Sequence, residues 1–316
     1  MRPSPLSDAF IEAGLAAGYP ACADFNAPGA EGFGRYHFTI RDGRRESAAT
    51  AFLDPVRKRG NLTVLSGATV RRIRFDGGRA SGVEVVRKGA RTTYLASDEV
   101  ILCGGAFGSP ALLIRSGIGP ADHLAEIGAE VVADRAQVGE NLHDHVLIRV
   151  GHEAPAVVTL LGLTRIDRAG LAFLIAWLAG TGPMSIFPLE AGAYLRGPGA
   201  DLPNLQSHFL PALSSATVRF NPFKPPANES PGFMANASIM RPASRGRLRL
   251  TGMQPRARLD LSFNYLSDPR DLDQLIDAVE ILRDVFSKKP FDPYRRREVG
   301  PGEGVHGRRA VGDWVR

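Results

Sequence analysis

The sequence predicts an α+β fold: part of an α/β sheet, then an antiparallel sheet with helices. Three observations predict it. A short apolar run, Val100 to Cys103, leads through two glycines into an apolar helical stretch from Ser109 to Arg115, the order strand, turn, helix. Before it, residues 69 to 97 alternate in short runs broken at Asp76-Gly77-Gly78 and Lys88-Gly89, the pattern of an antiparallel meander. After Gly151 prolines multiply between strand-like runs, and an amphipathic helix follows from Asp271.

In chain order, Ser7 caps a first helix that Gly18 closes. A loop rich in Gly, Pro, Asn and Asp runs from Tyr19 to Gly34. Residues 35–40 alternate as a strand and turn at Asp42-Gly43. Residues 46–60 read as a second helix starting at Ser47 and ending at Gly60, and 61–67 as a short strand. The meander follows, then a buried strand, Val100 to Cys103. The helix to Arg115 breaks at Gly117, and a short helix ends at Gly128. Residues 204–210, 232–240, 246–252 and 257–266 read as strands of the later sheet. Asp268-Pro269 is the start signal of the last helix, and the tail from Pro290 reads as basic loop.

The chain has 316 residues, 44% hydrophobic and 23% charged, an ordinary globular composition of one large domain or two smaller ones. The net charge is +6 and the pI near 9.6. The basic residues are scattered and no aromatics interleave with them, which argues against nucleic acid as a partner. Cys22 and Cys103 are too few for a disulfide framework, and Cys103 in its apolar run reads as a small buried hydrophobe. The start lacks a signal-peptide layout. The longest apolar window, Ala169 to Gly180, is too short to span a bilayer and reads as a buried or interfacial helix, with Trp177 as core. These features predict a cytoplasmic protein, or one peripheral at the inner membrane.

Glu99 to Pro120 carries the chemistry. A strand, a glycine turn and a helix N-terminus is a common way to hold nucleotide phosphates, although the turn is not G-x-G-x-x-G. The run Gly105-Ala106-Phe107-Gly108-Ser109-Pro110-Ala111-Leu112-Leu113-Ile114-Arg115-Ser116-Gly117-Ile118-Gly119 resembles the second signature of the glucose-methanol-choline (GMC) oxidoreductases at every defined position. Residues 31–64, 138–145, 244–250 and 261–286 are similar to further family segments, in the order and spacing of the choline dehydrogenase branch. Essentially the whole chain is covered.

The resemblance implies FAD as cofactor and oxidation of an alcohol, choline-like or another primary alcohol, with an electron acceptor as second substrate. It implies a partial FAD-binding domain of GMC type with a small meander in residues 1–150 and an antiparallel-sheet substrate domain in 151–290. The loop-rich tail 291–316 would lead toward a catalytic segment. It assigns Val70 to a main-chain contact with adenine, and Cys103, Gly104, Gly105 and Ala106 to a segment passing close to the dinucleotide. Phe187, Glu190 and Tyr194 become candidates for the substrate side, where an acid and aromatics favour an ammonium group. Two family elements have no counterpart: a G-x-G-x-x-G turn is missing from residues 1–60, and a His-Pro-x-Gly-Thr segment is missing altogether. The resemblance therefore implies a chain corresponding to the middle of such an enzyme and inactive alone. No catalytic residue is assigned. The alternative is a non-catalytic or decayed chain, or one piece of a split enzyme. Its partner would then be a complementary chain; a homo-oligomer is the other expected assembly. His143 and His145 would share one face of a strand, but no third ligand accompanies them, so no metal is expected.

Overall fold

In a computed structural model of the chain, residues 4–155, 158–160, 166–182, 189–213, 230–254 and 257–316 are described. The helices are α1 (Pro5–Ala16), α2 (Gly105–Arg115), α3 (Ala121–Glu126), α4 (Ile166–Ala179), α5 (Pro269–Ser287) and α6 (Gly307–Val315). The strands of the first half are β1 (Gly32–Arg35), β2 (Ile40–Arg41), β3 (Arg44–Arg45), β4 (Ala68–Asp76), β5 (Arg79–Arg87), β6 (Ala90–Leu95), β7 (Ile118–Gly119), β8 (Ala133–Asp134) and β9 (Glu140–Leu142). Those of the second half are β10 (Leu147–Glu153), β11 (Ala191–Leu195), β12 (Leu205–Leu210), β13 (Gly232–Ile239), β14 (Gly246–Leu250), β15 (Leu259–Ser262) and β16 (Glu298–Gly300). The fold is α+β, and the chain forms two compact units that interleave along the sequence.

The first unit comprises residues 1–53, 145–242 and 268–316. Its antiparallel sheet has the order β1-β11-β12-β13-β10-β16. Helix α5 buries Leu275, Val279, Leu282 and Phe286, the i, i+3/i+4 spacing of a core-facing stripe, and lies against β10 and β13. Helix α1 covers β1 and β11. Between helices and sheet sits an aromatic core: Phe10, Phe33, Phe209, Phe233, Phe286 and Phe291 are all fully buried. Phe10 stacks on Phe209 at 4.8 Å and Phe286 meets Phe291 edge-on at 5.0 Å, arrangements that suit the ring quadrupole. A Cβ on Gly14 of α1 would collide with the Phe33 ring, so only glycine lets this helix approach β1 so closely.

The second unit comprises residues 54–144 and 243–267. It holds the meander β4-β5-β6, the short parallel pair β7-β8 and a three-stranded sheet, β15-β14-β9. Its core is Ala111 and Ile114 of α2, Leu124 of α3, and Leu248 and Leu250 of β14.

Several expectations are corrected. Helix α1 starts at Pro5, not after Ser7, because proline at the first helical position is preset for the helix; Ser7 is buried inside it. Residues 46–60 form no α-helix, only a π-type turn at Ala49–Leu53 and a 3-10 turn at Asp54–Val56. Pro55 interrupts the hydrogen-bond ladder, and no residue of either turn is buried to stabilise a helix. The strand expected at 35–40 shortens to the hairpin β2-β3, while Gly32–Arg35 pairs in the sheet instead. Residues 61–67 form no strand. Val100 to Cys103 is neither buried nor paired: Ile101 is 74% exposed and Cys103 is exposed. A strand needs a neighbour, and none of the described residues pairs with this one. Helix α4 buries only Ala169 and Ala172, and Trp177 is 67% exposed rather than core. The later strands are present, but β14 and β15 join β9 in the second unit instead of extending the sheet of β12 and β13. The tail expected as loop contains β16 and α6.

Candidate functional site

The cofactor candidates lie together in the second unit. Gly104 caps α2 and Gly105 opens it with φ of 73°, a left-handed conformation that glycine adopts without strain. A Cβ on Gly104 would stand 2.9 Å from the Ser109 amide nitrogen, whereas one on Gly105 would meet nothing within 4 Å. Gly104 is thus required by close main-chain packing, and Gly105 presents bare backbone to open space. The Gly104 N–H donates to Ser109 Oγ at 3.0 Å, so the Ser-Pro pair holds the turn against the helix. The first turn of this 11-residue helix has no acidic residue and no side-chain cap. Its residues Gly105 to Gly108 are exposed, and an uncapped helix N-terminus of this kind favours an anion or phosphate. Cys103 and Ala106 flank the turn, both exposed.

Val70 sits on β4 opposite Val85 and is 38% exposed. Helix α2 lies along β4. At its far end Ser116 Oγ accepts the Ile73 N–H at 2.8 Å and donates to the Leu112 carbonyl at 2.6 Å. One hydroxyl therefore ties the helix to the strand that carries Val70. Ser109 and Ser116 were not singled out as site residues from the sequence. The available signal was their place in the signature run, where a hydroxyl within reach of a glycine turn or helix end can replace a missing main-chain partner.

The substrate candidates lie in the first unit. Phe187 falls outside the described residues. Glu190 precedes β11 and is mostly buried; its carboxylate accepts from Arg35 at 3.1 Å, and Arg35 also pairs with Asp8. Any ammonium approaching Glu190 competes with that guanidinium. No sequence signal could have identified Arg35, which lies 155 residues away. Tyr194 stands in β11 between Gly32 and Gln206, its ring edge-on to Phe25 at 5.0 Å. Phe25 also contacts Tyr36, which stacks on His208 at 5.2 Å. The Tyr36 hydroxyl donates to the Ser207 carbonyl at 2.9 Å. Burial pushes its pKa well up, so it remains a neutral donor. Burial lowers the pKa of His208, and the charge of His145 adds to that, so a neutral imidazole faces the cluster.

His143 Nδ1 lies 2.7 Å from the Asn141 carbonyl oxygen. Among the described residues no three His, Cys, Asp or Glu side chains converge as metal ligands. Among them, too, no helix is long and apolar enough to cross a membrane.

Two family models, both for GMC oxidoreductases, match residues 1–147 and 242–313. The chain is 40% identical over 315 residues to an oxygen-dependent choline dehydrogenase of Rhizobium etli, covering 99% of this chain and 56% of the relative. It is 38% identical to one from Brucella canis, covering 100% of this chain and again 56% of the relative. The chain thus spans about half the length of the curated relatives it matches. Pyridoxine 4-oxidase from Mesorbium loti superposes with a TM-score of 0.81 at 30% identity, covering 99% of this chain and 56% of that one. With both family models and the fold in agreement, the chain belongs to the GMC oxidoreductase family.

Proposed function

We propose that the chain takes part in the FAD-dependent oxidation of an alcohol to its aldehyde, as a portion of the catalytic assembly. The observation that carries this is the bare glycine turn opening α2, held in one unit with Val70. When bound, FAD would supply the hydride acceptor for the alcohol carbon. The chain's own part is to bind and orient. Gly104 and Gly105 let the main chain approach the dinucleotide, with Cys103 and Ala106 on either side. When FAD is bound, the first turn of α2 would meet its negative charge, and the main chain at Val70 would contact its adenine. Of the expected division, 1–150 for the cofactor and 151–290 for the substrate, residues 1–53 fall in the unit of the substrate candidates and 243–267 in that of the cofactor candidates; Glu190 and Tyr194, together with Phe187, would stand on the alcohol's side. The substrate class is a choline-like or other primary alcohol, and the second substrate would be an electron acceptor such as oxygen or a quinone. No histidine here stands in the family's catalytic context, so this chain supplies no assigned base.

A second reading, one piece of a split enzyme completed by a complementary chain, is favoured by the exposure of Leu95 (82%) and Ile101 (74%), apolar side chains of the kind an interface buries. Both readings meet one experiment. FAD titrated into the purified chain is expected to change flavin fluorescence weakly, and dye reduction with choline is expected to stay at background. The absence of any FAD-dependent signal overturns the cofactor reading. Choline-dependent dye reduction by this chain alone overturns its status as a portion.

A further inference from the structure

The second unit contains a cavity of about 530 Å³ lined by four arginines, Arg71, Arg72, Arg91 and Arg115, and one acid, Glu84. Arg72 donates to Glu84 at 2.8 Å, and Arg74, outside the lining, reaches the same carboxylate at 3.9 Å. Glu84 is therefore already engaged. Arg71, Arg91 and Arg115 have no ion-pair partner among the described residues. They leave the lining with a surplus of positive charge, which draws anions.

The backbone is shaped to bring two of these charges together. Consecutive residues of a regular strand point to opposite faces. Here the ladder pairs Val70 with Val85 and then Arg72 with Glu84, which leaves Arg71 as the extra residue of a β-bulge. A bulge re-aims the side chain at its site, and both Arg71 and Arg72 line the cavity. The third strand adds Arg91, opposite Val86, and α2 contributes Arg115 from its last turn. Thr92 and Thr93 add hydroxyl donors beside them.

We propose that this cavity binds an organic phosphate: a phosphate group on a compact, partly apolar body. Guanidinium forks match phosphate oxygens in pairs and hold them more strongly than neutral donors do. Threonine hydroxyls can fill the remaining acceptor sites of the anion. Val85, Val86 and Met253 give the cavity an apolar wall for the rest of the ligand. The volume falls in the range of small-molecule sites. This site is separate from the turn that opens α2, since Arg115 lies at the opposite end of that helix.

The test is calorimetric titration of the whole chain with phenyl phosphate and, in parallel, with inorganic phosphate. Phenyl phosphate is expected to saturate one site and to bind about fivefold tighter than inorganic phosphate, because of the apolar wall. Arg71→Gln combined with Arg91→Gln is expected to weaken it about tenfold or more. Arg87→Gln, on the same sheet and outside the lining, is expected to leave it unchanged. Circular dichroism of each variant checks that the fold is kept. The absence of saturable binding, binding that survives in the double variant, or inorganic phosphate binding as tightly as phenyl phosphate would each overturn the proposal.

Discussion

His152 sets an acid limit on the stability of the first unit. It sits on β10 opposite Phe233 and is only 6% exposed. Its ring stacks on Phe233 at 5.7 Å and meets Phe286 edge-on at 5.3 Å. Its Nδ1 has no hydrogen-bond partner among the described residues. Burial holds its pKa down at about 4; Glu298 pulls it up, while Arg295 and Arg283 push it further down. In the unfolded chain the same group titrates near 6.5. The unfolded state therefore binds a proton first as pH falls. The folded state is at full advantage above about pH 6.5 and loses it as pH drops toward 4. Between pH 7.5 and pH 5 that loss amounts to about 2 kcal/mol for this one group. Urea unfolding of the native chain and of His152→Leu at both pH values isolates it, because every other titrating group is common to the two. The native chain is expected to lose about 2 kcal/mol more than the variant. Equal losses would refute the assignment of a buried, neutral His152.

Phe286→Ala removes a ring that touches Phe10, His152, Phe209, Phe233 and Phe291; a loss of about 3–5 kcal/mol is expected in chemical denaturation. Ser116→Ala leaves the Ile73 amide without its acceptor, and about 1–3 kcal/mol should disappear. Hydrogen exchange at the Ile73 amide should quicken alongside, and an unchanged exchange rate would show that the hydroxyl is not the tie. Gly105→Val forces a branched side chain into φ of 73° at a cost of about 1–2 kcal/mol. It should also abolish the FAD-dependent fluorescence change, while the melting of the first unit stays as it was.

Where a pattern is local, the sequence was a good guide. The meander, helix α5 with its Asp268-Pro269 start, and the later strands all follow from period and turn chemistry. Burial is not local, and several failures fall there; others were local, such as the start of α1 at Pro5 and the helix expected over 46–60. Val100 to Cys103 has the composition of a core strand, yet composition cannot supply the neighbouring strand that would bury it. Helix α4 reads as buried or interfacial with Trp177 as core, yet Trp177 is exposed. The signature run identified the family, and the structure adds what the sequence did not show there: a left-handed φ at Gly105 and close main-chain packing at Gly104. The arginine cavity was invisible. Arg71-Arg72 reads as two charges on opposite faces, and only the pairing of β4 with β5 reveals the extra residue between Val70 and Arg72.

The interleaving of the two units has a consequence for synthesis. The chain passes between them four times, at residues 53–54, 144–145, 242–243 and 267–268. Neither unit is complete until segments of the other have been made: the second needs β15, which ends at Ser262, and the first needs β16, which ends at Gly300. Phe10 is made well before two of the rings it packs against, Phe209 and Phe286. Between the synthesis of Phe10 and that of Phe286 the nascent polypeptide carries an open aromatic core, a condition that exposes a chain to aggregation. A chain broken off before Phe286 would keep α1 over β1 and β11 but lack the end of the α5 stripe that packs on β10 and β13.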